Sequence, residues 1–365
     1  MSRASAPIAS LRVSAYTIPT DAPESDGTLE WNATTLVLVE ASAGGATGIG
    51  YSYANRATAI LIADTLAGVV EGRDALDIGA AWQAMVAAIR NLGRPGISSM
   101  AVAAVDNALW DLKGALLGTA VVDLLGAVRE AIAVYGSGGF TSYPPARLAS
   151  QLEGWVQAGI GMVKMKVGRD PSADVARVRT ARESIGAGTA LFVDANGAYD
   201  RKQALAFAAR YADLGVTWFE EPVSSDDLEG LRLLRDRAPA GVDVAAGEYG
   251  YDDVYFRRMC EAGAVDVLQA DATRCAGITG FMRAAAIAHA FGVPLSSHCA
   301  PSLHAHACCA ARGARHLEYF HDHARIERLL FDGVLEPRQG ALAPARDRPG
   351  FGLAFKAADA RPYAI

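Results

Sequence analysis

The stretch "GMVKMKVG", residues 161–168, sets two ammonium groups two residues apart inside an otherwise apolar run. In a strand, successive side chains alternate faces, so Met162, Lys164 and Lys166 share one face while Val163, Met165 and Val167 share the other. The lysines then point the same way. An edge strand with its polar face in water would account for this, so the surrounding chain has to decide whether the amines serve a site instead.

From about residue 130 the sequence repeats one unit: a short run rich in Val, Leu, Phe or Ile, a polar turn, then a helical stretch of Ala, Arg and Leu. Strands are predicted at 132–136, 162–167, 190–195, 217–221, 242–246, 265–270, 293–297 and 316–320. Eight such units with short loops predict a closed parallel barrel. The alternative, an open doubly wound sheet, calls for a Gly-rich dinucleotide fingerprint after its first strand, and none follows here.

The first 125 or so residues read differently. Segments 10–18, 33–42 and 45–54 suggest an antiparallel meander, followed by helices. One of these, "SSMAVAAVDNALWDLKGALLG" (98–118), carries Val102, Val105, Leu109, Leu112 and Leu116 at alternating steps of three and four, an apolar stripe for packing. The tail beyond about 335 is rich in Pro and Gly, shows no eighth helix, and is expected to fold back on this first unit. The predicted division is an α+β capping unit over 1–125, a barrel over 126–335 and a returning segment over 336–365.

Composition narrows the function. The 365 residues are 51% hydrophobic, with mean hydropathy +0.15, which marks a folded globular chain. A net charge of −6 and no basic run argue against nucleic acid or an anionic membrane as partner and favour a small solute. No segment approaches a membrane span, and the start "MSRASAPIASLRVSAYTIPT" lacks the continuous apolar core of a secretory signal, so a cytoplasmic location is expected. The five cysteines, Cys260, Cys275, Cys299, Cys308 and Cys309, are odd in number, crowded into the last third, and read as reduced thiols.

In a βα barrel the active site is built at the C-terminal ends of the strands. Those ends carry Lys164 and Lys166, Asp194, Glu220, Glu248, Asp271, His298 and Glu318, spaced from 28 residues (Lys166 to Asp194) down to 20 (His298 to Glu318). Each step is about one βα unit, a phasing that surface charge has no reason to adopt. Three carboxylates held together, Asp194, Glu220 and Glu248, need a counter-ion, and Mg²⁺ takes oxygen ligands while leaving positions for water or substrate. Glu221 rivals Glu220; strand parity puts the two on opposite faces, and Glu220 is preferred because Glu221 leads directly into Pro222 and the turn.

Beside Lys164 and partly buried, Lys166 is expected to have its pKa lowered towards neutrality, making it a usable base. Across the mouth His298 ends one strand and Asp271 the strand before it, so the carboxylate can fix the imidazole tautomer. Two bases on opposite sides of a bound acid suit removal of the proton next to its carboxylate, through an enediolate that a cation and hydrogen-bond donors must stabilise. Glu318, if held neutral, would be one such donor. "HAHACC" (304–309) and "HDH" (321–323) are discounted as metal sites, since histidines at i, i+2 diverge on a helix. "GSGGF" (136–140) lacks the partners of a phosphate loop and reads as a flexible rim loop.

Taken together, "VDNALWDLKG", "KMK", "DANGAY", "FEEP", "GE", "DATRCAGITG", "SSH" and "HLE" resemble the enolase superfamily and its mandelate racemase subgroup over nearly the whole chain. The resemblance implies a modified TIM barrel, (β/α)7β, under an N-terminal α+β capping domain completed by the C-terminal tail. It implies Mg²⁺ on Asp194, Glu220 and Glu248, Lys166 and the His298/Asp271 dyad as acid/base groups, and Glu318 near the substrate carboxylate. It also implies a capping-domain loop closing over the site, here "TDAPESDGTLEW" (20–31), which is acidic and hydroxyl-rich and so suited to a polyol. The expected activity is dehydration of an aldonic or aldaric acid sugar, with racemisation of an α-hydroxy acid as the alternative and a Schiff base on Lys166 as a remote one. A homo-oligomer is expected.

Overall fold

A computed structural model describes residues 5–365. Strands β1 (Ile8–Ser25), β2 (Glu30–Ala43) and β3 (Ala46–Tyr53) form the expected antiparallel meander, with β2 in the middle. The helix Ile97–Leu117 lies across it, ended by Gly118 in the left-handed conformation. Contact is close because β3 has glycines where it meets the helix: a Cβ on Gly48 would lie 2.1 Å from the Leu112 nitrogen, and one on Gly50 2.2 Å from that of Ala108. The helix is buried nearly all round, well beyond the apolar stripe.

All eight predicted barrel strands form: β4 (Ile132–Gly138), β5 (Met162–Lys166), β6 (Ala190–Asp194), β7 (Val216–Glu220), β8 (Asp243–Ala246), β9 (Val267–Ala270), β10 (Leu295–Ser297) and β11 (Ala314–Phe320). They run in parallel in chain order, and β11 pairs back to β4, so the sheet is closed and "KMK" is no edge strand. Two layers of the interior explain the site. Register aligns Lys164 with Phe192 and Trp218 in one row, and Lys166 with Asp194 and Glu220 in the row above. Phe192 and Trp218 stack at 5.3 Å, with Tyr135 and His316 packed edge-on against them, so the lower layer is a solid aromatic floor. The period of two then lifts the next residue of each strand above that floor.

After β11 comes a ten-residue helix, His321–Leu330, within the span read as barrel. Its side chains face the capping sheet: Tyr51 Oη donates to Glu327 at 2.7 Å, Thr34 to Asp322 at 2.5 Å, and Tyr53 stacks on His323. The tail then touches both units. Ala341–Leu342 pairs with the start of β4, Val121 N donates to Gly350, Phe351 N donates to Asp111, and Ile365 N donates to Ala15 of β1. Among the described residues, no helix is long and apolar enough to cross a membrane.

Candidate active site

Asp194, Glu220 and Glu248 converge. One carboxylate oxygen from each lies within 4.8 Å of the others, and all three residues are buried. Glu248 gets there through Gly247 at φ +135°, where a Cβ would meet the Gln269 carbonyl at 2.1 Å. Lys164 approaches Glu220 at 2.6 Å and Asp194 at 3.5 Å, and Lys166 lies 2.5 Å from Asp194. Even so, burial and the Asp194 charge push Glu220 up to about 8. Glu248 Oε2 is buried and accepts no hydrogen bond. Three crowded hard oxygen donors, one of them orphaned, fit a hard divalent cation.

Strand parity does select Glu220, whose other oxygen accepts from Trp218 Nε1 at 2.9 Å. Glu221 nonetheless stays inside. It adopts φ +37° as the chain turns, and burial together with Glu248 and Asp194 drives its pKa far up.

Lys166 lines the cavity, but its expected titration is reversed. Burial favours the neutral amine; the Asp194 carboxylate outweighs it and holds Lys166 protonated, above its ordinary range. The carboxylate that register aligns beside Lys166 outweighs the like charge of Lys164. Lys164 does not line the cavity. It lies fully buried beneath the carboxylates, between Glu220 and Glu318 at 2.6 and 2.8 Å, and is a fixed counter-charge.

His298 and Asp271 pair as expected, Nδ1 to Oδ2 at 2.8 Å, leaving Nε2 turned towards Glu248 at 3.3 Å. Asp271 Oδ1 is held by the Thr273 N–H at 2.6 Å and hydroxyl at 2.7 Å. Glu318 departs from expectation. It accepts from Ser137 Oγ at 2.6 Å, from Cys299 N at 2.8 Å and from Lys164, and although burial opposes ionisation, Lys164 holds it well below the usual carboxylate range. It is an ionised acceptor, with no proton to donate.

Lys166, Glu248, Asp271 and His298 open into a cavity of about 400 Å³ whose walls come from both domains. The capping segment is no free loop: it runs from the end of β1 into β2, and its tip docks so closely that a Cβ on Gly27 would lie 2.3 Å from the Ala195 carbonyl. Two of its four acids, Glu24 and Asp26, are buried. Glu24 accepts from Trp31 Nε1 at 2.9 Å, and Asp26 accepts from the Thr28 and Leu29 N–H groups. The side chains it adds to the wall are Asp26, Leu29 and Trp31, so the lid is greasier than its composition suggests. "GSGGF" is likewise packed, with Phe140 buried against Trp31, Tyr143 and Phe320.

Of the discounted histidines, His321 lies with Asp21 and Glu24 in a group that could hold a metal ion, its Nε2 3.0 Å from Asp21, whereas the other three have structural partners. His304 Nε2 accepts from Ala272 N and His306 Nδ1 from Val122 N, while His323 lies against Tyr53. Sequence reasoning missed Arg274, whose Nη1 is 3.3 Å from Glu248 Oε1 and whose Nε is 3.8 Å from Asp271 Oδ2, with Tyr249 stacked beneath it. It stands four residues past the end of β9, and a cation in that loop beside the strand-end acids was the available signal. Cys299, with Sγ 3.3 Å from His298 Nε2, was missed as well.

A closed barrel with this rim under an α+β cap defines a class, and the comparisons agree. Residues 147–360 match the enolase C-terminal domain-like family, and residues 16–126 match the mandelate racemase / muconate lactonizing enzyme N-terminal domain. The chain belongs to the mandelate racemase/muconate lactonizing enzyme family of the enolase superfamily; it is an enzyme, and its cofactor is Mg²⁺.

A mandelate racemase/muconate lactonizing enzyme-like protein from Rubrobacter xylanophilus superposes with TM-score 0.96 at 57% identity, covering 98% of this chain and 99% of that one. The 3,6-anhydro-alpha-L-galactonate cycloisomerase of Streptomyces coelicolor is 32% identical over 94% of this chain and 95% of its own. The L-talarate/galactarate dehydratase of Salmonella typhimurium is 32% identical over 84% of this chain and 76% of its own. Its structure with Mg and L-lyxarohydroxamate superposes with TM-score 0.91, covering 100% of this chain and 95% of that one.

Proposed function

We propose that the enzyme dehydrates an acid sugar to the 2-keto-3-deoxy acid. The observation that carries this reading is the placement of two proton-transfer groups on either side of one carboxylate cluster: Lys166 next to Asp194, and His298 next to Glu248. Mg²⁺ held by Asp194, Glu220 and Glu248 would supply the positive charge that makes a carboxylic acid's α-proton removable.

With Mg²⁺ held at the cluster, the Asp194 charge that keeps Lys166 protonated would be offset, so that Lys166 or His298 takes the C2 proton and the other protonates the departing C3 hydroxyl. Water and an enol result, and the enol tautomerises to the keto acid. Asp271 keeps Nδ1 of His298 protonated, so that Nε2 is the atom that takes or gives the proton. Lys164 and Glu318 form a fixed charge pair behind the reacting groups, and the lid tip docks against the backbone just past β5 and β6. Relatives that act on talarate, galactarate and arabinonate as dehydratases support the assignment.

Purified enzyme with Mg²⁺ is expected to form 2-keto product from at least one member of a library of aldonic and aldaric acids. Absence of keto product across the whole library would end the assignment. Racemisation is the second reading, favoured by the same two-sided arrangement; solvent deuterium entering C2 without keto product would select it.

A further inference from the structure

We propose that Asp21, Glu24 and His321 form a second metal site, which takes a first-row transition-metal cation such as Zn²⁺ and fastens the lid to the helix behind β11. One donor atom from each residue lies within 4.8 Å of the others. Separate parts of the fold bring them there. The β1–β2 ladder breaks after Pro19 and resumes at Glu24, so Thr20 to Pro23 bulge opposite Asn32 alone and Asp21 leaves the ladder. His321 opens the helix after β11, directly behind Phe320 of the cavity wall. Its Nε2 lies 3.0 Å from Asp21 Oδ2, while Arg147 takes Asp21 Oδ1 at 3.3 Å. His323, two residues on, stacks on Tyr53 instead.

Glu24 supplies an independent reason for a ligand. It is fully buried; Oε2 accepts from Trp31 Nε1 at 2.9 Å, and Oε1 has no hydrogen-bond partner. A buried carboxylate oxygen without a donor costs stability unless a proton or a cation meets it. Arg325, the nearby guanidinium, bonds Asp322 and the Pro19 carbonyl instead. Burial and the charges of Asp322 and Asp21 leave Glu24 its proton in the cation-free protein. A bound cation takes that proton's place, and the proton leaves to solvent. One imidazole nitrogen with two carboxylates suits Zn²⁺, which accepts mixed donors in a tetrahedron that water can complete. The all-carboxylate cluster of the barrel has the opposite preference, for Mg²⁺. Asp21 and His321 are both partly exposed, which gives the ion a way in and the water a side to occupy. Because Glu24 also holds Trp31, which lines the cavity, the ion would be tied to the substrate wall.

The test titrates Zn²⁺ into the full chain in a large excess of Mg²⁺, which keeps the barrel cluster occupied, and reads bound equivalents by calorimetry. His321→Asn and Glu24→Gln are each expected to take up one equivalent fewer than the parent, or to bind it about tenfold or more weakly. Zn²⁺ should raise the Tm of the parent and not that of either variant. The same difference is expected in an Asp194→Asn background, which alters the barrel cluster. It should also persist in a Cys299→Ser background, which alters the neighbouring group of His298, Cys299 and Glu318. Should Glu24→Gln fail to fold, Asp21→Asn, on the partly exposed side, takes its place beside His321→Asn. No Zn²⁺ uptake by the parent overturns the proposal, as does equal uptake by the parent and the lid variants. A difference that disappears in either background would put the ion in the barrel and overturn it too.

Discussion

Lys166 and His298 flank the same carboxylates but are held there by different means. Lys166 is placed by strand register: β5, β6 and β7 align it with Asp194 and Glu220, and Lys164 from the layer below supplies the balancing charge. His298 is placed by a relay that starts in the other domain. Asp271 fixes its Nδ1, Thr273 fixes Asp271, and Ser52 Oγ holds the Thr273 carbonyl at 2.6 Å. Asn107 of the capping helix donates to the Ala272 carbonyl at 3.1 Å and accepts from Ile278 N at 3.0 Å, and Asp106 accepts from Thr279 N. The cap thus grips the segment that follows Asp271. One side chain answers to the barrel's electrostatics, the other to the docking of two domains.

Removing Mg²⁺ should break both sides at once: turnover is expected to vanish with chelation and return with added Mg²⁺, and Asp194→Asn should lose Mg²⁺ uptake by calorimetry. Full activity after exhaustive chelation would refute the metal assignment. Next in size, Lys166→Met and His298→Asn should each lower kcat by about 10²–10⁴-fold. Solvent-deuterium exchange at C2 separates them. The variant that still exchanges its substrate retains the initiating base, and equal loss of exchange in both would contradict a division of labour.

A smaller effect tests the relay. Asn107→Ala strands the Ala272 carbonyl and the Ile278 N–H, so stability should fall by about 1–3 kcal/mol. Activity should fall roughly tenfold further through His298 misorientation. The pH profile discriminates, because only the limb belonging to His298 should move. If kcat drops with an unchanged profile, the cap is a passive brace.

This asymmetry also marks what could be read from the chain. The row of strand-end groups was legible because a βα unit has a fixed length and a strand a fixed period, so Asp194, Glu220, Glu248, Asp271 and His298 could be phased without coordinates. Charge states were not. Whether Lys166 loses its proton depends on an Asp194 oxygen 2.5 Å away, and whether Glu318 is neutral depends on Lys164 at 2.8 Å, distances that register implies only after the barrel has closed. The grip of Asn107 on Ala272 spans 165 positions and carries no periodic signal. In the lid, composition misled because Glu24 turns towards Trp31, so that Leu29 and Trp31 join Asp26 in the cavity wall.

The lid belongs to neither base, so altering its buried acid should change stability and leave the proton chemistry alone. Glu24 is fully buried with Oε1 unpartnered, and its pKa is pushed up to about 8, first by burial and then by Asp322. A carboxyl whose native pKa lies above its unfolded value keeps its proton in the fold at pH values where the unfolded chain has released it. Stability therefore falls as pH rises from roughly 4.5 towards 8 and stays lower beyond. Glu24→Gln cannot ionise. It should match the parent near pH 5 and exceed it by on the order of 1 kcal/mol, ~1–2 °C in Tm, near pH 9. Parallel melting curves across that range would mean the lid opens to admit water around Glu24, and the wall formed by Leu29 and Trp31 would then be mobile, weakening the contrast between a barrel-held and a cap-held base.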